Sequence, residues 1–148
     1  MTGASGSAKR SQLIGPSRPD FLRDELLHEI FQASASRFIG SPALRCRGQV
    51  LSYGELQQRA SRFARHLRGL GVGRGVRVAV WMPPGFDLHV SILGILEAGG
   101  AFVPIDPQWP WERAAHILRD CGAAHLVAAE GLVPSTGQLP CPVLNPER

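Results

Sequence analysis

A chain of 148 residues with 44% hydrophobic composition carries enough apolar mass for one modest core, as a compact domain or as part of a larger one. Its net charge of +4 comes from fifteen arginines and a single lysine, Lys9, set against twelve acidic residues. The arginines are scattered, so no dense basic run marks a nucleic-acid-binding arm. No stretch approaches the roughly 20 apolar residues that span a bilayer, and the opening segment lacks the apolar centre of a secretory signal. The expected location is cytoplasmic, with neither membrane nor nucleic acid as partner. Cys46, Cys121 and Cys141 are odd in number and widely spaced, which suits reduced thiols better than a disulfide framework or a zinc site.

Residues 1–18 are rich in Gly and Ser without apolar periodicity, and are expected to form a flexible leader before a domain spanning 19–148. From Asp20 the apolar residues Leu22, Leu26, Leu27, Ile30, Phe31 and Phe38 return at helical spacing until Gly40-Ser41-Pro42 breaks the pattern. "ALRC", "RGQ" and "VLSY" then read as strand, turn and strand. Ser52 and Glu55 form an S-x-x-E pair, the reciprocal cap that opens a helix. The predicted buried stripe of that helix is Leu56, Ala60, Phe63, Leu67 and Leu70, and the glycines at 69, 71 and 73 supply places to end it.

"VRVAVW" is a β-branched run stopped by Met82-Pro83-Pro84-Gly85, and predicts a buried strand. Residues 86–98 are apolar nearly all round, as in a helix packed against a sheet, with Gly99 and Gly100 to end it. "AFVPI" is the next strand, and Pro104 within it argues for an edge position or for a missing ladder bond. Pro110 fits the first turn of a helix through "WERAAHILRD", which Gly122 ends before the strand "HLVAA". The tail is a Pro-rich loop with one short candidate strand, "PVL". Strand, helix, strand, helix, strand predicts an α/β fold with a parallel-rich sheet and crossover helices.

Local constellations offer no active site. "GLGVGRG" (69–75) has a GxG spacing, but it follows a helix and precedes a strand, the reverse of a dinucleotide fingerprint, so it reads as helix termination. "PSTGQ" (134–138) faintly echoes a phosphate loop, yet has no Lys and no following helix, and reads as a surface loop. "HEIFQ" fails the zinc-protease spacing because position 32 is Gln, leaving His28 as a surface residue. Arg59, Arg62, Arg65 and Arg68 read as a solvated helix face without stacking aromatics. Trp81, Trp109 and Trp111 read as packing rather than a pocket. His66, His89, His116 and His125 fall in four different elements and assemble no triad. With Lys9 in the leader, the folded part offers no ε-amino group to a phosphate.

Taken together, residues 24–130 resemble the N-terminal portion of the amino-acid-activating adenylation domains of nonribosomal peptide synthetases, within the AMP-forming ligase superfamily that includes acyl-CoA synthetases and luciferases. "LSYGEL" (51–56) is similar to the family's first core motif and "LEAGGAFVPIDP" (96–107) to its second, while "WPWERAAHILRDCGA" resembles the "YPxERxxxxLxDxxA" stretch that follows. The resemblance implies the N-terminal part of the large subdomain of an adenylate-forming enzyme. That enzyme would use ATP and Mg²⁺ to make an aminoacyl adenylate and then load a phosphopantetheinyl carrier protein. The family's phosphate loop, substrate pocket and catalytic lysine lie downstream of the matched segment. The resemblance therefore implies no catalytic, cofactor or metal residue in this chain, and a polypeptide not competent alone without the remainder of the domain. The residues that match motif positions, Tyr53, Glu55, Gly99, Gly100, Pro104 and Asp106, are expected to be structural. The alternatives are a segment of an acyl-CoA or aryl-acid ligase, and a noncatalytic interaction module on the same scaffold.

Overall fold

The structure, a computed structural model, describes residues 24–134 and 139–146. The expected leader at 1–18, Leu22 and most of "PSTGQ" lie outside the described residues. Helix α1 spans Leu27–Arg37, starting later than the apolar spacing suggested. Leu26 is its extended N-cap, and the Leu26 backbone NH donates to the Glu29 carboxylate at 2.8 Å, so the first turn is fixed there. Leu26 and Leu27 are consequently exposed, Ile30 and Phe31 are half-buried, and Ala35 is the residue that α1 buries fully. His28 is half-buried on this helix rather than fully on its surface.

Strands β1 (Pro42–Cys46) and β2 (Gln49–Ser52) form an antiparallel hairpin. Arg47 and Gly48 both take positive φ, 49° and 78°, the two-residue turn whose twist matches paired strands. Tyr53, expected at the end of β2, is instead the first residue of helix α2 (Tyr53–Gly69). The predicted cap is present in both directions. The Glu55 NH donates to Ser52 Oγ at 3.3 Å, and the Glu55 carboxylate accepts from the Ser52 NH at 2.8 Å and from its hydroxyl at 2.7 Å. Helix α2 buries Leu56, Ala60, Phe63, Ala64 and Leu67. Leu70, expected to complete this stripe, is the C-cap and is exposed, because the helix closes before it.

Strand β3 (Arg77–Trp81), helix α3 (Phe86–Glu97), strand β4 (Ala101–Ile105), helix α4 (Trp111–Asp120) and strand β5 (His125–Ala128) follow, with a short β6 at Val143–Leu144. Pro110 is the extended N-cap of α4 (ψ 157°) rather than part of its first turn, so Trp111 opens that helix. All pairings in the four-stranded sheet are parallel, in the order β4-β3-β5-β6. Pro104 pairs by register with Val80 on β4, an edge strand of this sheet, where a missing NH is tolerated. Strand β3 is central and alternates between two cores. Val78 and Val80 face a core shared with α2, α3 and Val127, while Ala79 and Trp81 face a core shared with Ala114 and Leu118 of α4, Ile105 and Leu126. Among the described residues no helix is long and apolar enough to cross a membrane.

Helix α3 packs on the sheet as expected, with Val90 and Ile95 in one core with Val78 and Val80, and also closely on α2; Leu88, Ile92, Leu93 and Leu96 are only half-buried, so more of its face is exposed than its composition suggested. The approach of the two helices is set at Gly94, where an added Cβ would lie 2.9 Å from Phe63 Cδ1 and 3.1 Å from the Ala60 carbonyl oxygen. Gly94→Ala is expected to destabilise the fold by about 1–2 kcal/mol, the overpacking cost outweighing the gain in helix propensity. Gly69→Ala, where the new methyl meets nothing, should be neutral or slightly stabilising. Urea unfolding followed by circular dichroism distinguishes them, and equal midpoints for the two variants would contradict this account of the helix crossing.

Candidate functional site

In an open parallel sheet, ligands bind beyond the carboxyl ends of the strands. Here that edge carries Met82-Pro83-Pro84-Gly85 after β3, Ala129 and Glu130 after β5, and Asn145 and Pro146 after β6, and these line a cleft of about 820 Å³. The hairpin and the start of α2 complete its wall. Leu51 and Met82 give it an apolar base, and Arg47, Arg59, Glu55, Asp87 and Glu130 ring it with mixed charge.

Helix α3 opens onto this cleft at Gly85, which has no side-chain cap. Its first turn is held instead from the helix side. The Ser91 hydroxyl, fully buried, donates to the Asp87 carbonyl at 2.6 Å, and the His89 ring Nδ1 lies 2.8 Å from the Gly85 carbonyl. Both groups are therefore engaged by backbone four residues away.

Of the six motif residues, Glu55 alone reaches the cleft; the fold does not gather the others around it. The Glu55 carboxyl is held below the ordinary carboxylate range, first by the Ser52 backbone NH, then by the Ser52 hydroxyl, with a smaller attraction from Arg59. Its charge is engaged at the helix start. Tyr53 stacks on Phe31 at 6.1 Å between ring centres and lies 6.4 Å from the Phe38 ring, joining α1 to α2. Gly99, at φ 86°, and Gly100 close α3: their NH groups donate to the Leu96 and Ile95 carbonyls, each at 3.0 Å. A Cβ at Gly100 would lie 2.8 Å from Val72 Cγ1.

Asp106 follows β4 and organises the turn into α4. Its carboxylate accepts from the Gln108 NH at 2.9 Å, and its carbonyl accepts from the Trp109 NH at 3.1 Å and from Trp81 Nε1 at 3.0 Å. The tryptophans pack as expected. Trp81 is buried with Trp111 5.8 Å away, and the Arg113 guanidinium sits 4.0 Å over the Trp109 ring. Arg59, Arg62, Arg65 and Arg68 are all exposed. Among the described residues no group of three or more His, Cys, Asp or Glu side chains converges to hold a metal ion. The four histidines singled out in the sequence are not brought together: His66 lies beside Phe63, at 6.5 Å between ring centres, His89 caps the start of α3, and His116 and His125 sit on α4 and β5. The cleft itself was missed by sequence reading.

Comparison with known proteins gives a consistent family. The model of the AMP-binding enzyme family matches residues 31–145. Surfactin synthase subunit 1 of Bacillus subtilis (strain 168) is 41% identical over 109 residues, which is 74% of this chain and 3% of that protein. The crystal structure of the nonribosomal peptide synthetase FmoA3 superposes with a TM-score of 0.78 at 35% identity, covering 83% of this chain and 13% of that one. The N-terminal subdomain of Klebsiella oxytoca NpsA superposes with a TM-score of 0.70 at 24% identity, over 81% of this chain and 30% of that one, a likeness of fold alone. This chain thus spans a small part of the length of the relatives it matches.

The cap at Ser52 and Glu55 makes a pH-dependent contribution whose sign follows from the lowered carboxyl. A group more acidic in the folded than in the unfolded state stabilises above the unfolded value, about 4.3 for Glu, and the contribution is lost as pH falls through the folded value. The stability difference between the native protein and Glu55→Gln should be constant near neutrality and shrink as pH drops below about 4.3. Ser52→Ala should cost about 1 kcal/mol at neutral pH. Urea titrations at a series of pH values read both, and a difference that grows towards acid would refute the assignment.

Proposed function

The chain belongs to the AMP-binding enzyme family and is the N-terminal segment of a nonribosomal peptide synthetase adenylation domain, and from that premise we propose that it serves the activation of an amino acid. In the reaction, an amino acid carboxylate attacks the α-phosphorus of ATP, releasing pyrophosphate and leaving an aminoacyl adenylate. The acyl group then passes to the phosphopantetheine thiol of a carrier protein, releasing AMP. The observation that carries this reading is the family match across residues 31–145, which takes in both core-motif stretches.

The residues present do not fit an ATP and Mg²⁺ site. Residues 24–146 contain no lysine, and no metal-holding group of side chains exists among those described. We assign this segment the framework role: it supplies a twisted parallel sheet, the helices that cover it and one wall of a cleft at the sheet's carboxyl edge. Phosphate binding, metal binding and substrate selection belong to the remainder of the domain. Tyr53, Glu55, Gly99, Gly100, Pro104 and Asp106 act through folding, each engaged in a cap, a turn, a ring contact or an edge strand. The acyl-CoA or aryl-acid ligase reading draws support only from likeness of fold, and nothing observed favours a noncatalytic module over a catalytic scaffold.

Exchange of labelled pyrophosphate into ATP tests the proposal. The purified 148-residue protein is expected to show no amino-acid-dependent exchange, whereas the same chain joined to the remainder of an adenylation domain should exchange with one or a few amino acids. Exchange by the short protein alone would overturn the division of labour, and its absence from the joined protein with every amino acid would overturn the activity.

A further inference from the structure

We propose that Cys121 and Cys141 form a dithiol poised to close into a disulfide by exchange with a low-molecular-weight disulfide, tying the end of α4 to the entry of β6. Cys121 is the C-cap of α4, with its thiol 3.7 Å from the Leu118 carbonyl oxygen. The chain turns at Gly122 and enters β5 at His125. Strand β6 runs parallel to β5, with Leu126 opposite Val143 and Val127 opposite Leu144, and the ladder reaches back one residue through the Leu126 NH to the Pro142 carbonyl at 2.9 Å. Extending that register places Cys141 beside Ala124, three residues beyond Cys121.

The faces agree as well. Leu126 points into the core beneath α4, and strand alternation puts Cys141 on the same side as Val143 and Leu126. Cys141 belongs to that core, at 8% exposure, and Cys121 packs against the same group of residues. A surface groove lined by Trp111, Ala115 and Arg119 together with Leu139 and Pro140 shows that the chain leading to Cys141 runs beside α4. Cys46 lies elsewhere, on the hairpin at the wall of the cleft. All three cysteines are free thiols in this structure.

The order of reaction follows from accessibility. Cys121 is half-exposed, while burial, and to a lesser degree the neighbouring Cys121, push the Cys141 thiol up from its ordinary value. The Cys121 thiolate attacks one sulfur of a small disulfide RSSR; the reagent's S–S bond breaks, RS⁻ departs, and a mixed disulfide is left on Cys121. Cys141 then gives up its proton and attacks the Cys121 sulfur, expelling the second RS⁻. Two protein thiols and one RSSR become one protein disulfide and two RSH. The cross-link closes the segment from Cys121 to Cys141, and should raise the unfolding midpoint by roughly 5–10 °C by restricting the unfolded chain.

The test uses the 148-residue protein with oxidised glutathione, followed by alkylation of remaining thiols, proteolysis and mass spectrometry. The expected product joins the Cys121 and Cys141 peptides, lacks two hydrogens relative to the dithiol, and leaves Cys46 alkylated. In urea the three possible pairings should all form. Cys141→Ser should stop at a glutathione adduct on Cys121, and Cys46→Ser should close as the native chain does, which keeps the result interpretable if a core variant folds poorly. Native protein that retains three alkylatable thiols, holds a stable adduct on Cys121 without closing, or links Cys46 as readily would overturn the proposal, as would a cross-linked product that melts no higher than the reduced protein.

Discussion

Two helices can share one layer over a sheet only if their backbones approach closely, and in this fold the approach depends on the absence of a side chain at Gly94. The Phe63 ring and the Ala60 carbonyl occupy the space a Cβ would need. Drawn together there, α2 and α3 cover one face of the sheet as a unit, with Phe63, Leu67, Val90 and Ile95 buried between them and Val78, Val80 and Val127 beneath. The far end of the same contact is polar. Gln57 donates to Ser61 at 2.8 Å and to Glu97 at 3.3 Å, Ser61 donates to Glu97 at 3.0 Å, and the Arg68 guanidinium donates to the Glu97 carbonyl. An apolar centre sets the distance and a hydrogen-bonded end sets the rotation of one helix on the other.

The helices of the sheet-forming unit all end in the same way. After α2, Val72 and Gly71 donate back to Leu67 and Arg68; after α3, Gly100 and Gly99 donate to Ile95 and Leu96; after α4, Ala123 and Gly122 donate to Leu118 and Arg119. Each closure places a left-handed glycine just past the cap and turns the chain sharply. Two of these turns deliver the chain to β3 directly: the Ala101 NH donates to the Val76 carbonyl and the Ala124 NH to the Arg77 carbonyl, at 2.9 Å each. The starts of β4 and β5 are thereby locked to the start of β3, and the parallel register follows along the strands. Order in the sheet is thus established at its amino edge, leaving the carboxyl edge free to be shaped by loops.

These same devices explain which parts of the fold were legible in the sequence. The S-x-x-E cap, the Gly pairs, the β-branched run of β3 and Pro104 each act through local covalent chemistry, so their meaning is written in adjacent residues. The chain order of the central elements followed from them, and the edge position of β4 was one of the two readings that Pro104 left open. Burial was less legible because it depends on distant partners. Leu70 continued the period of α2 perfectly, yet the helix closes one residue before it; Ala64, off the predicted stripe, is fully buried because α3 arrives on that side. The start of α1 was misplaced because Leu22 and Leu26 have helical spacing, whereas the Glu29 carboxylate fixes the first turn at Leu27. The cleft was not legible at all, since its lining comes from the hairpin, α2, α3 and the ends of three strands, separated by up to about one hundred residues of chain.

A reactive centre in an α/β protein needs groups aimed at a vacant space and left incompletely satisfied by the fold. Four polar side chains at and near the carboxyl edge are instead turned back on neighbouring residues. Glu55 answers the Ser52 NH and hydroxyl, Ser91 answers the Asp87 carbonyl, His89 meets the Gly85 carbonyl, and the Asp106 carboxylate answers the Gln108 NH. Each of these contacts holds a turn or a helix start in place. A segment whose helix starts and turns are held in this way is suited to present a rigid wall, and this is the physical sense in which a family motif such as "LEAGGAFVPIDP" can be strongly constrained by the turns it builds.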